Sequence, residues 1–249
     1  MKRIKAVLFD LGSTLIYFDG EWSEVIDQGF LNLAKALQDD GFDLEGEDFI
    51  NQFRARLDHY YVEREADYTE HTTSYFLAKT LSEWGYENVE DGVIRRALAA
   101  MYAASQVHWK LERDTIPTLQ TLQERGYHLG LISNAADDDD VQTLVDNAGI
   151  RPWFEIILTS AAQGIRKPSR RIFYTALNHW KLQPDQAAMV GDTLSADILG
   201  AQNMNMFGIW ITRRADRPAN HIYRSRIIPD ATIETLDELP DLLENQHHD

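Results

Sequence analysis

Asp10, Ser133, Lys167, Asp192 and Asp197 are the residues of this chain whose types and spacing could do chemistry together. Asp10 closes the apolar run Ala6-Val-Leu-Phe9 and is followed at once by Leu11-Gly-Ser-Thr14. A carboxylate buried at the end of such a run is costly unless a metal ion or hydrogen-bond donors hold it. That makes Asp10 a candidate nucleophile or metal ligand. Ser133 and Asn134 follow Leu129-Gly-Leu-Ile132, Lys167-Pro168 stands at the entry to a helical pattern, and Gly191-Asp192-Thr-Leu-Ser-Ala-Asp197 follows Ala187-Ala-Met-Val190. The set supplies one carboxylate nucleophile, a hydroxyl, an ammonium group and two further carboxylates. Oxygen ligands of this kind suit Mg²⁺, which binds through one or two carboxylates and keeps several waters. Hydroxyl, ammonium and backbone N–H groups suit the equatorial oxygens of a phosphoryl group in transfer. An Asp nucleophile can form an aspartyl-phosphate that water then hydrolyses.

The elements that must position these groups are an alternation of strands and helices. Val7, Leu8 and Phe9 are apolar on both sides of the chain, as in a strand buried within a parallel sheet. From about residue 114 onward, strands are expected at 127–132, 154–159, 187–190, 207–212 and 231–233. Helices are expected near 141–148, 170–180, 195–203 and 236–243. Such an alternation predicts an α/β fold with a doubly wound parallel sheet, and ligands bind such sheets at the carboxyl ends of the strands. Between residue 17 and residue 110 the pattern is helical throughout. Val25, Phe30, Leu33, Ala34 and Leu37 recur at helical spacing, and further helices are expected over 47–65, 72–84 and 90–109. Their aromatic residues, among them Phe49, Phe53, Tyr60, Phe76 and Trp84, are expected to pack between helices. The expected domains are therefore a core of residues 1–16 and 111–249 and a helical insertion of residues 17–110. The acidic run Asp137–Asp140 reads as a loop and N-cap before the helix that follows.

Composition narrows the function classes. The chain has 249 residues, 44% hydrophobic and 26% charged, with a net charge of −16, ordinary for a globular enzyme. That charge argues against nonspecific binding to nucleic acid or to an anionic membrane, so a phosphate ligand needs locally placed cations. There are no cysteines, hence no disulfide framework or thiolate metal site. The basic start Met1-Lys-Arg-Ile-Lys5 is followed by too short an apolar stretch for a secretory signal, and no run approaches membrane-spanning length. A cytoplasmic enzyme acting on a small molecule, with neither nucleic acid nor membrane as partner, is the expectation.

The four strand-end segments, in this order, resemble the four motifs of the haloacid dehalogenase superfamily. Asp10 to Thr14 match the first, Ser133 the second, Lys167 in Gly164-Ile-Arg-Lys-Pro168 the third, and Gly191-Asp192 with Asp197 the fourth. The sheet pattern covers nearly all of the chain, and residues 17–110 resemble the family's first type of helical cap. The resemblance implies that Asp10 is the nucleophile and a magnesium ligand and that Gly12 ligates the metal through its carbonyl. It implies Asp192 as the main further ligand, with Asp197 a second ligand or an orienter of the shell. Ser133 and the Asn134 backbone would hold phosphoryl oxygens, Lys167 would neutralise nucleophile and phosphate, and Thr14 would brace the nucleophile loop. The implied activity is magnesium-dependent phosphatase action on a small phosphorylated metabolite.

One residue departs from the pattern. Where the family's phosphatases carry a second Asp two residues after the nucleophile, this chain has Gly12. A positioned general acid–base contributes typically about 10²–10⁴-fold. Three readings follow: a phosphatase whose proton comes from the cap, from the substrate or is little needed by a good leaving group; dehalogenase or phosphonatase chemistry; or a phosphate-binding or partner-binding module. A phosphonatase needs a cap lysine, for which Lys35 and Lys79 are the candidates before Lys110. Arg54, Arg56, Arg64, His59 and His71 are the cap residues that could touch a phosphorylated metabolite.

Overall fold

A computed structural model describes residues 3–246. Residues 1, 2 and 247–249, at the two ends of the expected core, lie outside the described residues. In chain order the elements are β1 (Ala6–Phe9), β2 (Ile16–Phe18), α1 (Trp22–Asp39), α2 (Gly46–Glu63), α3 (Thr73–Glu83), α4 (Asp91–Gln106), β3 (Trp109–Leu111) and α5 (Thr115–Glu124). There follow β4 (His128–Ser133), α6 (Asp138–Asn147), β5 (Ile156–Thr159), α7 (Ser160–Gln163), α8 (Arg170–Trp180), β6 (Ala187–Gly191), α9 (Leu199–Met204) and β7 (Phe207–Ile211). The chain closes with α10 (Pro218–His221), β8 (Ala231–Ile233) and α11 (Leu239–Asn245).

β1 is central in a six-stranded parallel sheet of order β5-β4-β1-β6-β7-β8. Every residue of β1 is buried because both faces are covered. Val7 and Phe9 join the larger core cluster with Leu129, Leu131 and Val190, while Ala6 and Leu8 join Ile172, Phe173 and Met189 on the other face. This alternation follows from the two-residue period of a strand. Phe9 is in register with Leu131 and Val190, so Asp10, Ser133 and Gly191 emerge together at one edge. The chain runs from β1 to β4 and β5 on one side and returns to β6 on the other. Asp10 therefore stands at the point where strand order reverses, where open α/β sheets bind ligands.

Helices α1 to α4 carry a core of their own, built from Phe30, Leu33, Phe49, Phe53, Leu77 and Leu98 among others. Gly29 lets α1 lie tightly on α4, since a Cβ there would come within 2.9 Å of the Met101 carbonyl oxygen. Two local expectations are corrected. The helix expected to continue to residue 109 ends at Gln106, and Trp109–Leu111 instead forms β3, antiparallel to β2. The pairing of Ile16 with Leu111 and Phe18 with Trp109 closes both ends of the helical insertion, a long-range contact that helical periodicity does not register. The helix expected near 195–203 begins instead with one π turn, Leu194–Ile198, before α9. Asp137 is the N-cap of α6 as expected, its side chain accepting from the Asp140 N–H. Among the described residues no helix is long and apolar enough to cross a membrane.

Candidate active site

The nucleophile loop begins where β1 ends, with the Asp10 N–H donating to the Val190 carbonyl at 2.9 Å. The chain then turns tightly. The N–H groups of Leu15 and Ile16 both donate to the Leu11 carbonyl, and Ser13 takes the left-handed conformation at φ 61°. Thr14 is buried and its hydroxyl donates to Asp10 Oδ2 at 3.5 Å, a long contact.

Lys167 is buried with its ammonium among oxygens. Nζ donates to Asp10 Oδ1 and to the Ile132 carbonyl, each at 2.7 Å. It also faces Asp197 Oδ1 at 2.7 Å in an ion pair. Burial by itself lowers a lysine pKa; here the charges of Asp10 and Asp197 outweigh it and hold Lys167 above its ordinary value. The side chain of Asn134 braces this lysine through its backbone, accepting from Lys167 N at 2.8 Å and donating to Lys167 O at 3.0 Å. Ser133 is buried at the end of β4 and lines the same cavity as Asp10.

Asp192 and Asp197 come from the loop and π turn after β6. Asp197 Oδ2 accepts from the Thr193 N–H at 2.9 Å, and its carboxylate lies directly over Gly191. A Cβ at Gly191 would stand 2.3 Å from Asp197 Cγ, so the glycine of this motif is the space the carboxylate occupies. Asp197 is held above the ordinary carboxylate range by burial, and the charge of Asp10 adds to it. The Asp192 carbonyl accepts from Trp210 Nε1 and Asn220 Nδ2, and Asn220 Oδ1 accepts from Leu194 N. These bonds tie the motif to the segment after β7.

Asp10, Asp192 and Asp197 each place one carboxylate oxygen within 4.8 Å of the others. Asp192 Oδ2 and Asp197 Oδ1 are buried and are met by the cations Arg217 and Lys167. Three carboxylates this close repel one another unless cations hold them, and an all-oxygen trio fits a hard divalent cation. The residues present thus fit such an ion, with the Gly12 carbonyl in the same turn as Asp10.

Three features of the site were not foreseen. Arg217 lies against Asp192 and donates to Thr193 Oγ1 at 2.9 Å; its place beyond the carboxyl end of β7, at the same sheet edge, is the signal that could have found it. Trp109 covers Gly12, where a Cβ would meet its Cη2 at 3.4 Å. It belongs to an aromatic cluster with Phe18 and Trp22. Arg166, next to Lys167, lines the cavity with its side chain 6% exposed.

The cavity has a volume of about 820 Å³ and runs from Asp10 to the helical insertion. Of the expected insertion residues, Arg54 and Arg64 line it. The others are engaged elsewhere: Arg56 with Glu83, His59 with Glu63, and His71 stacked on Tyr75. Lys35 is solvent-exposed and paired with Asp39, and Lys79 is exposed, so neither reaches the cavity.

Residues 4–205 match the family model of haloacid dehalogenase-like hydrolases. A glyceraldehyde 3-phosphate phosphatase of Methanothermobacter thermautotrophicus is 29% identical over 245 residues, 97% of this chain and 99% of the relative. An N-acylneuraminate-9-phosphatase of Homo sapiens is 24% identical over 251 residues, covering 98% of this chain and 96% of its own. Among solved structures, a 2-haloacid dehalogenase from Pseudomonas syringae pv. Tomato DC3000 superposes with a TM-score of 0.67 at 26% identity, covering 98% of this chain and 99% of that one.

Proposed function

The chain belongs to the haloacid dehalogenase-like hydrolases, and on that premise we propose that it is a magnesium-dependent phosphatase of a small phosphorylated metabolite. The observation that carries this reading is that Asp10, Asp192 and Asp197 each bring a carboxylate oxygen within 4.8 Å of the others, with Asp192 and Asp197 buried. A dehalogenase working without a metal has no use for that arrangement. Phosphonatase chemistry lacks its lysine, because Lys35 and Lys79 face solvent. The relatives named as phosphatases match over nearly their whole length.

In this reading Asp10, the Gly12 carbonyl, Asp192 and Asp197 hold Mg²⁺, which when bound offsets the negative charge shared by nucleophile and phosphate. Asp10 Oδ2 attacks phosphorus while Lys167 holds Oδ1, forming an aspartyl-phosphate as the bond to the leaving oxygen breaks. Ser133 and the backbone N–H groups beyond it donate to the phosphoryl oxygens. Water then attacks the phosphorus as the bond from phosphorus to Asp10 breaks and a proton passes to solvent, which releases inorganic phosphate and free Asp10. Gly12 can neither give the leaving oxygen its proton nor take one from water. Turnover therefore favours leaving groups of low basicity or substrates that carry their own acid. Helices α1 to α4 act as the cap, limiting water in the cavity during transfer.

Purified protein is expected to hydrolyse an aryl phosphate with Mg²⁺ and to lose that activity to a chelator. Asp10→Asn is expected to lower kcat by at least about 10³-fold, as for loss of a nucleophile. Full turnover by that variant would exclude the aspartyl-phosphate route.

A further inference from the structure

Among the described cations that line the cavity, Arg64 and Arg166 are the two with no carboxylate within hydrogen-bond reach. Arg166 keeps Nε and Nη1 buried without a hydrogen bond, and Arg64 likewise keeps Nε. The carboxylates nearest Arg166, on Glu65 and Glu70, stand at 3.7 and 3.8 Å, beyond hydrogen-bond reach. The oxygens of Glu70 are already committed, accepting from Tyr60 OH at 2.7 Å and Ser160 Oγ at 2.6 Å. Both side chains line the one cavity, and burial, then the charge of Arg166, hold the Arg64 pKa below its ordinary value. A buried guanidinium with unmet N–H groups is costly. An acceptor entering the cavity is the economical remedy.

The geometry points to an anion subsite at Arg64 and Arg166 that takes a substrate carboxylate, set apart from the phosphoryl position at Asp10, Ser133 and Lys167. Resting on the phosphatase reading, it narrows the substrate class to phosphate monoesters that also carry a carboxylate. Three observations select this ligand. Planar guanidinium groups pair with carboxylates in bidentate fashion. The carboxylates of Glu70 and Glu65 beside Arg166 already offset much of the two arginine charges, which favours a monoanion over a second phosphate dianion. Arg166 directly precedes Lys167, whose backbone Asn134 clamps. Lys167 reaches Asp10 and Asp197 in the core, while Arg166 reaches Glu65 and Glu70 beside the insertion. The two anion positions are therefore held at a set separation. The same cavity also presents Ile26, Phe30, Leu57 and Met101, apolar surface that suits a carbon chain.

The test uses a series of ω-phosphooxyalkanoates of two to six carbons, each compared with its methyl ester. At the best chain length, kcat/KM for the acid is expected to exceed that for the ester by roughly 10- to 100-fold, the worth of a hydrogen bond to a charged group. Arg64→Gln and Arg166→Gln are expected to bring that ratio close to one, and Arg166→Lys to restore it only in part. Should Arg166→Gln fail to fold, Arg64→Gln carries the same reading. A ratio near one at every chain length, or a ratio unchanged in the variants, overturns the subsite. The same acids and esters titrated calorimetrically into Asp10→Asn protein read the preference without turnover. A carboxylate preference there, in a protein whose wild type hydrolyses no phosphate ester, would sink the phosphatase reading and leave the subsite standing.

Discussion

Gly12 is the residue at which mechanism and packing meet. Its missing side chain removes the usual acid, and the space beside it is taken by the Trp109 indole. A Cβ fits there at ordinary contact distance, but a carboxylate must share its room with the ring. Gly12→Asp is expected to raise kcat/KM for an alkyl phosphate relative to an aryl phosphate by about tenfold or more, short of the full worth of a positioned acid. Combined with Trp109→Ala, the gain should grow. Equal effects on both leaving groups in both backgrounds would mean that proton donation is already supplied by another group. Asp10, Ser133 and Asp192 were legible as strand-end groups because each follows an apolar run, whereas Lys167 and Asp197 stood out only by their place in the order of the motifs. Arg166, Arg217 and Trp109 were not, because nothing in their immediate neighbours distinguishes them from surface residues; only the sheet edge and the cavity do.

At the scale of elements, α6 carries a strained charge. Asp140, in its first turn, is pushed up to about 6 by burial, against the hydrogen bond it accepts from Gln106 of α4 at 2.9 Å. The unfolded chain releases this proton near pH 4, so between about pH 4 and pH 6 the folded form binds more protons than the unfolded one. Asp140 then contributes stability at low pH that is lost as pH rises through about 6. Asp140→Asn is expected to be more stable than wild type at pH 8 by about 1–2 kcal/mol, with the advantage vanishing near pH 4.5. Urea unfolding of both proteins at the two pH values reads the difference. Helix α8, the β8 strand and the N-cap of α6 match their sequence patterns closely, since each depends on local periodicity and a cap. The β2–β3 pair escaped because its partners lie more than ninety residues apart, and short strands carry little pattern of their own.

Over the whole molecule, Glu70 fastens the helical insertion to the sheet domain. Its buried carboxylate accepts from Tyr60 on α2 and Ser160 on α7, and Tyr60 is pushed up to about 12 by burial, with the bond to Glu70 adding. Neighbouring backbone bonds, Glu70 N to Gly164 O and Arg166 N to Tyr68 O, follow the same seam. Glu70→Ala leaves the Tyr60 and Ser160 hydroxyls only their longer bonds to the Thr69 and Ala135 carbonyls and leaves Arg166 without its nearest buried countercharge. A loss of about 2–4 kcal/mol is expected, measured by urea unfolding. A loss below about 0.5 kcal/mol would show that the seam is held by its backbone bonds alone.

The sequence by itself determined the α/β alternation, the insertion after the first strand, the order of the strand-end groups and the absence of an acid at position 12. These are local or nearly local properties, written in periodicity and in residues that interrupt apolar runs. The tertiary structure decided what surrounds them: the ring over Gly12, the carboxylate seated on Gly191, the guanidinium beside Asp192 and the two arginines, Arg64 and Arg166, that line the cavity. Each of those depends on segments distant in the chain meeting at one edge of the sheet, and no spacing along the chain encodes such a meeting.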